Sequence, residues 1–292
     1  MSFAESSRGR FIIKSNCASK EYIGKMPDNV ISNILNRLPL KEAVRTSALA
    51  RNWRYKWCLL TDVILDDDLF YFLTTKFDGK DITKLLQRLR GPIRRFVFST
   101  EPKTVCGLLD LKYEEIRDWL SFLSAEGIEE MKIRNWYGEQ VTLPSDIYSR
   151  TELKHLELHH CKLPSLDTLV VFPNLLTVEL LHVRFVTGTF WEFIVRCPSV
   201  EFLKVDYDTT KQMRLMELTK VRHIKKLHLS FGMTYKPTTI TASNLYHLAS
   251  LTKLENLTLD FQDCNVRPIP LIYIKDHFVI CNLYEITMKC DI

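Results

Sequence analysis

The run Leu153-Lys154-His155-Leu156-Glu157-Leu158-His159-His160-Cys161-Lys162-Leu163 places apolar side chains at its first, fourth, sixth, ninth and eleventh positions. At its centre Leu156 and Leu158 flank Glu157, the alternation of a strand with one face on a core and the other facing out. Leu175-xx-Val178-x-Leu180-xx-Val183-x-Phe185 repeats the spacing, with Val183 in the place of Cys161. Shorter copies begin at Ile93, Ile128, Val200, Ile224, Leu254 and Leu283, so successive starts lie 22 to 35 residues apart. One such unit cannot hide its own apolar face, and neighbouring copies must stack to make a continuous interior.

This spacing is the signature of the leucine-rich repeat, whose units run to roughly 20–29 residues. The segments between the copies agree with it. Ile82, Leu85, Leu86 and Leu89 form an apolar stripe at helical spacing, ended by Gly91-Pro92 before the Ile93 copy. Ile116, Trp119, Leu120 and Leu123 form a second, closed by Gly127, and Phe190, Phe193, Ile194 and Cys197 a third, stopped by Pro198. Helix, breaker and short strand in repeated order predict an α/β fold with a parallel sheet. An irregular leucine-rich repeat solenoid over residues 67–292 is the expectation.

Strand geometry then predicts a surface, because residues between the buried leucines point to the opposite, concave face. They include Lys132 and Arg134, then His155, Glu157 and His159, then Thr177, Glu179, Lys204, Asp206, His228 and Asp260. Solenoids bind partners on such faces. The mixture of charges favours a polypeptide client over a polyanion. The client-binding candidates are Lys132, Arg134, His155, Glu157, His159, Glu179, Lys204 and Asp206.

Upstream, the first patterned segment opens at Met26-Pro27-Asp28. Asp28 is the expected N-cap of a helix, with its carboxylate at the positive end. Val30, Ile31, Ile34, Leu35 and Leu38 follow at helical spacing as one apolar face, and Pro39, with no N–H to donate, closes the helix. A second helix is expected through Lys41-Glu42-Ala43-Val44-Arg45, with Ala43, Val44, Ser47 and Ala48 on one side. A third carries Trp53 and Trp57, four residues apart. Three short helices within about 40 residues hold more large apolar side chains than they can hide among themselves. The surplus predicts a cover, either the rest of the chain or another protein.

The run from Met26 through Pro27-Asp28, Ile34-Leu35, Leu38-Pro39, Lys41-Glu42-Ala43-Val44-Arg45-Thr46-Ser47 and the Trp53/Trp57 pair closely resembles an F-box, in particular that of the large plant F-box/LRR group. The resemblance implies binding to a Skp-family adaptor, which links such proteins to a cullin and a RING protein. Matched by position, the adaptor contacts would be Pro27, Ile31, Leu35, Leu38, Pro39, Val44, Leu49 and Trp53. Met26 replaces the usual Leu, an exchange that roughly conserves volume. Asn52 stands where a basic residue is common and Lys56 where an apolar one is usual, departures that bear on docking or on packing against the next segment. In that group the repeats precede a C-terminal module, the FBD. The sequence ends at Cys290-Asp291-Ile292, right after the last strand-like copy, and the expectation is that no complete FBD is included. The resemblance spans roughly residues 20 to 290.

Composition narrows the function classes. Apolar residues at 46% and charged residues at 26% are ordinary for globular domains and argue against disordered and fibrous chains. The 40 basic and 35 acidic residues are scattered, without the basic stripe of a nucleic-acid reader. No apolar run approaches the roughly 20 residues that span a bilayer. Phe11-Ile12-Ile13, followed by Lys14, is too short for a secretory h-region, and residues 1–20 are expected to form a disordered tail. Cys17, Cys58, Cys106, Cys161, Cys197, Cys264, Cys281 and Cys290 are dispersed without a CxxC pair, the usage of reduced thiols in the cytoplasm or nucleus.

His159-His160-Cys161 is set aside as a metal site, because a strand sends His159 and His160 to opposite faces and no second half-site accompanies them. Asp66-Asp67-Asp68 is expected as a solvated turn, without the glycine and distal glutamate of a calcium loop. No phosphate-binding loop, dinucleotide fingerprint or nucleophile elbow occurs. Neither a cofactor nor a catalytic residue is therefore expected.

The expected organisation is a tail over 1–20, a three-helix F-box over 21–66 and the repeats over 67–292. The expected function is the substrate-recognition adaptor subunit of a Skp–cullin–F-box ubiquitin ligase, non-catalytic, with the F-box on the Skp-family adaptor and the solenoid on a protein client. A leucine-rich repeat receptor for a small molecule and a scaffold whose F-box does not dock remain open alternatives.

Overall fold

Each repeat copy read from the sequence becomes a strand two residues after its start. In chain order the strands are β1 Asp62–Leu65, β2 Arg95–Thr100, β3 Glu130–Asn135, β4 Val141–Thr142, β5 His155–His159, β6 Cys161–Leu163, β7 Thr177–Leu181, β8 Arg184–Phe185, β9 Phe202–Asp206, β10 Lys226–Ser230, β11 Asn256–Phe261 and β12 Glu285–Cys290. The computed structural model describes residues 26–49, 51–73, 79–100, 113–123, 127–136, 139–165, 172–206, 209, 215–230, 248, 251–261 and 285–290. The expected tail at 1–20 lies outside them, as do the first residues of the expected F-box span.

Nine strands form one parallel sheet in the order β1-β2-β3-β5-β7-β9-β10-β11-β12. Its register keeps the buried pairs in line: Leu156 lies opposite Val178, then Leu203, Leu227 and Leu257 follow across the sheet. In-line stacking makes one continuous apolar interior, which is how a short repeat gains stability from its neighbours.

The helices expected between the copies are present as α4 (Gly79–Leu86), α5 (Tyr113–Phe122) and α6 (Phe190–Val195), preceded by α1 (Asp28–Leu35), α2 (Leu40–Arg45) and α3 (Asp67–Leu73). Aromatic edges join them to the sheet. Phe98 on β2 stands between Phe70 of α3 and Trp119 of α5, with ring centroids 6.0 and 6.3 Å apart. The Trp119 indole N–H donates to Thr83 Oγ1 of α4 at 2.8 Å. Buried Arg150 donates to the carbonyls of Leu120 and Leu123 at 3.1 and 3.0 Å, closing the C-terminal end of α5 with a positive charge, where it opposes the helix dipole.

Two features were not read from the sequence. Strands β4, β6 and β8 form a second, three-stranded parallel sheet. His160 and His182, at φ 55° and 52°, sit in the left-handed region and turn the chain from β5 into β6 and from β7 towards β8. The buried Asp206 carboxylate holds the second turn. Its Oδ2 accepts the His182 N–H at 2.8 Å and its Oδ1 the Thr209 N–H at 2.9 Å, while Thr209 Oγ1 accepts the Val183 N–H at 3.0 Å.

The second unread feature is β1. It lies inside the span assigned to the F-box from sequence, yet it pairs with β2 as the first strand of the large sheet. Leu60, Val63 and Leu65 repeat the buried spacing in shortened form. Asn36, just after α1, donates to Thr61 Oγ1 at 2.7 Å and accepts the Thr61 N–H at 3.1 Å. A Cβ on Gly91 would stand 2.9 Å from the Leu59 carbonyl oxygen, so the chain passes there only as glycine. The helical module is thereby welded to the first repeat.

Local details depart from expectation near the start. Pro27 is the N-cap of α1 and makes no side-chain bond; Asp28 is the first helical residue, and its carboxylate pairs with Lys56. The helix ends at Leu35 rather than running to Leu38, and Pro39 instead caps α2, where its missing N–H costs nothing. Trp53 and Trp57 do not share a third helix: they lie in two separate 3-10 turns, Arg51–Trp53 and Lys56–Leu59, both buried. Asp67 and Asp68 open α3 rather than forming a turn, and Asp66 caps it by accepting the Leu69 N–H at 3.1 Å.

Candidate functional site

Two surfaces offer themselves to partners. The first is on the helical module. Residues 30, 34 and 38 follow one i, i+4 ridge of the α1 segment and residues 31 and 35 the adjacent one. Ile31 and Leu35 turn inward, while Val30, Ile34 and Leu38 remain 39%, 42% and 39% exposed. Leu49 and Tyr55, elsewhere in the module, are 74% and 62% exposed. Pro27 and Pro39 are exposed and Val44 is partly buried. Among the eight adaptor contacts matched by position, Ile31, Leu35 and Trp53 lie in the chain's own interior, where the short helices need them as core. Val30, Ile34 and Tyr55 are surface residues that matching by position omitted. The stripe spacing contained the first two; nothing in the sequence marked Tyr55.

The second surface is the sheet face opposite the leucines. Register carries a row across it: Lys132, Glu157, Glu179, Lys204 and His228 are successive partners. Charges pair along and between rows. Arg134 grips Glu157 through Nε–Oε1 at 2.5 Å and Nη2–Oε2 at 2.9 Å. Lys132 Nζ lies 2.8 Å from Glu130 and 3.8 Å from Glu157; Lys204 Nζ lies 3.5 Å from Glu179. Burial alone would push the Glu157 carboxyl up, but the His159 imidazole and the Arg134 guanidinium beside it outweigh burial and hold it down at about 2.

The sequence expected all eight client candidates to face solvent. Lys132, Arg134, His155, Glu179 and Lys204 are half-buried, whereas Glu157, His159 and Asp206 are buried. Side chains on neighbouring parallel strands crowd the face closely enough to cover the shorter ones. A shallow hollow of about 260 Å³ remains between Glu130, Lys132, His155, Glu157 and Glu179.

Ligand atoms of Glu157, His159 and Glu179 all lie within 4.8 Å of one another, close enough to share a cation. Lys132, Arg134 and Lys204 already pair with the carboxylates of Glu130, Glu157 and Glu179. The carboxylates are thus already answered by cations, so the cluster is built for ion pairing rather than for metal. Cys58, Cys161 and Cys197 are buried free thiols, and burial pushes the Cys161 and Cys197 thiols well above the ordinary range, so they stay protonated and unreactive. Among the described residues no helix is long and apolar enough to cross a membrane.

Comparison with known proteins matches both regions of the chain to families. Residues 23–61 match the F-box domain. Residues 116–267, just over half of the chain, match the family described as "FBD-associated F-box protein At5g56370, LRR repeats". Among curated proteins of Arabidopsis thaliana, the F-box/FBD/LRR-repeat protein At1g13570 is 32% identical over 194 residues, 65% of this chain and 45% of that protein. The FBD-associated F-box protein At4g10400 is 30% identical over 211 residues, 71% of this chain and 50% of that protein. The F-box/LRR-repeat protein At3g03360 is 24% identical over 245 residues, 80% of this chain and 49% of that protein. The chain spans about half the length of the curated relatives it matches.

Proposed function

The chain belongs to the family of FBD-associated F-box proteins with leucine-rich repeats, and from that premise we propose that it is the substrate-recognition subunit of a Skp–cullin–F-box ubiquitin ligase. The observation that carries the reading is the exposure of Val30, Ile34, Leu38, Leu49 and Tyr55, large apolar side chains of the helical module that the chain itself leaves uncovered. Water-exposed apolar area of this kind is what a partner polypeptide covers. Completing the burial of each is worth on the order of 1 kcal/mol. Five of them reach the lower end of the roughly 4–15 kcal/mol that association costs, so Pro27, Pro39 and Val44 are needed at the rim.

On this reading the chain performs no bond chemistry. It raises the local concentration of a client at the transfer site, which is the catalytic contribution of proximity. The junction at Asn36, Thr61 and Gly91 matters here, because a stiff link between adaptor and client surfaces holds that distance. The client is a polypeptide, bound by the mixed charges of the sheet face. The reading places the chain in the cytoplasm or nucleus, in keeping with its free buried thiols.

The test is co-purification of the full chain with a Skp-family adaptor. Leu38→Asp is expected to abolish adaptor recovery while the melting temperature is kept. Undiminished recovery with Leu38→Asp overturns the docking assignment. Recovery of no adaptor by the unmutated chain would favour a scaffold whose F-box does not dock.

A further inference from the structure

The chain's charge is unevenly divided. Residues 23–61 hold seven of the 40 basic side chains and two of the 35 acidic ones, so the whole formal surplus of +5 lies in that span and the remainder balances. The function proposed above uses the apolar side chains of this module and gives its cations no task.

Within the module Glu42 answers Arg45 at 3.2 Å and Asp28 answers Lys56. Arg37, Arg51 and Arg54 are exposed, and among the described residues none of the three makes an ion pair. Tertiary structure adds to the same sign. The Arg90 N–H donates to the Cys58 carbonyl at 2.7 Å, and this brings the exposed Arg88 and Arg90 against the module. Burial raises the pKa of the Cys58 thiol, while Arg90 and Arg88 beside it act in the opposite direction. Asp62, at the near end of β1, faces Arg95 at 3.9 Å. The acidic run Asp66 to Asp68 lies past the far end of that strand, roughly 13 Å along it and beyond a Debye length at physiological salt. The helical module therefore carries a net positive field.

The neighbours of these arginines narrow what the field meets. Arg37 stands between Ile34 and Leu38 in the chain, Arg51 follows Leu49 by two residues and Arg54 precedes Tyr55. Each of the three is thus a close chain neighbour of an exposed apolar residue. A nucleic-acid backbone offers charge but no cover for aliphatic side chains. A lipid surface offers both, but Ile31 and Leu35 are buried in the module's interior, so α1 is not free to lay a whole face among headgroups. A protein surface that mixes apolar area with carboxylates fits, and the planar arginine fork matches a carboxylate.

We propose that the partner covering this module carries acidic residues around its apolar docking face, and that Arg37, Arg51 and Arg54 steer and orient the encounter. The proposal deepens the docking reading above and rests on it for the partner's being a Skp-family adaptor.

Association of the full chain with a purified Skp-family adaptor is followed by stopped-flow fluorescence at ionic strengths from about 0.05 to about 0.5 M. The association rate constant is expected to fall at least about tenfold across that range, and the dissociation rate constant to change less than about threefold. Arg37→Gln, Arg51→Gln and Arg54→Gln are each expected to slow association about twofold at the lowest salt, and together about tenfold. Arg222→Gln makes the same charge change on the exposed loop before β10, six strands from β1, and is expected to leave the rate unchanged. Glu42→Gln removes an opposing charge from the module and is expected to speed association about twofold, a gain that loss of folding cannot imitate. A rate insensitive to salt, equal effects of Arg37→Gln and Arg222→Gln, or no gain with Glu42→Gln overturns the proposal. So does tighter binding of phosphatidylserine vesicles or single-stranded RNA than of the adaptor at about 0.15 M salt. Adaptor binding without salt dependence sinks the steering alone; no adaptor binding at any salt sinks the ligase reading together with it.

Discussion

The outward ridge of the α1 segment and the sheet face from β3 to β11 are the two proposed partner surfaces, yet they leave opposite things unfinished. On the first, Val30, Ile34 and Leu38 keep apolar area in water and have no internal substitute for a partner. On the second, Arg134, Glu157, Lys132 and Glu130 are matched along and across strands before any partner arrives. An unfinished apolar patch yields affinity, because covering it is favourable whatever the partner's details. A pre-paired charged face yields selectivity, because a partner must replace the bonds it disrupts. One chain thus combines a surface suited to a constant partner with a surface suited to discriminating among many.

The comparison breaks first within the α1 segment. Ile31→Asp places an unpaired carboxylate in the core and is expected to cost more than about 4 kcal/mol, read as collapse of the denaturation midpoint. If Ile31→Asp leaves the midpoint in place, the division of the segment into inward and outward ridges is wrong. The charged face is tested next by acid. The Glu157 carboxyl is depressed in the folded chain, so its contribution is complete above the unfolded carboxylate range. That contribution is lost as pH falls from about 4.3 towards about 2, and amounts to some 2–3 kcal/mol. Glu157→Gln should flatten that window in denaturant titrations at each pH; parallel curves for the two proteins would remove the pairing from the account.

Ile34→Asp sharpens the contrast from the other side. It is expected to change stability by about 1 kcal/mol or less while ending adaptor recovery, since Ile34 lies on the outward ridge. Smallest is Asp28→Asn, which breaks the exposed pair with Lys56. A midpoint change under about 1 kcal/mol is expected, and a larger one would give the Lys56 departure from the family pattern a structural weight it lacks here.

Much of the fold was legible. Alternating leucines such as Leu156 and Leu158 bury one face of a strand in any arrangement, so their copies located β2, β3, β5, β7 and β9 to β12. The helical stripes with Ile116 and Phe190 were legible for the same reason. Unread were β1, whose copy is truncated beside the Trp57 turn, and β4, β6 and β8, which are too short to alternate. Arg150 was invisible as a cap, because its acceptors at Leu120 and Leu123 lie some 30 residues earlier in the chain.

The candidate surfaces divide in the same way. Periodicity picked out Ile31, Ile34, Leu35 and Leu38 as one apolar face, and only packing decided which two would be core and which two would remain for a partner. Alternation likewise put Glu157, His159 and Asp206 on the face away from the leucines, but it did not foretell their burial. What a residue's own neighbours in sequence dictate is its side: inward or outward on a helix or strand, set by local backbone geometry. Whether that side meets water depends on residues many positions away, because burial and charge pairing are made across strands that only the assembled sheet brings side by side.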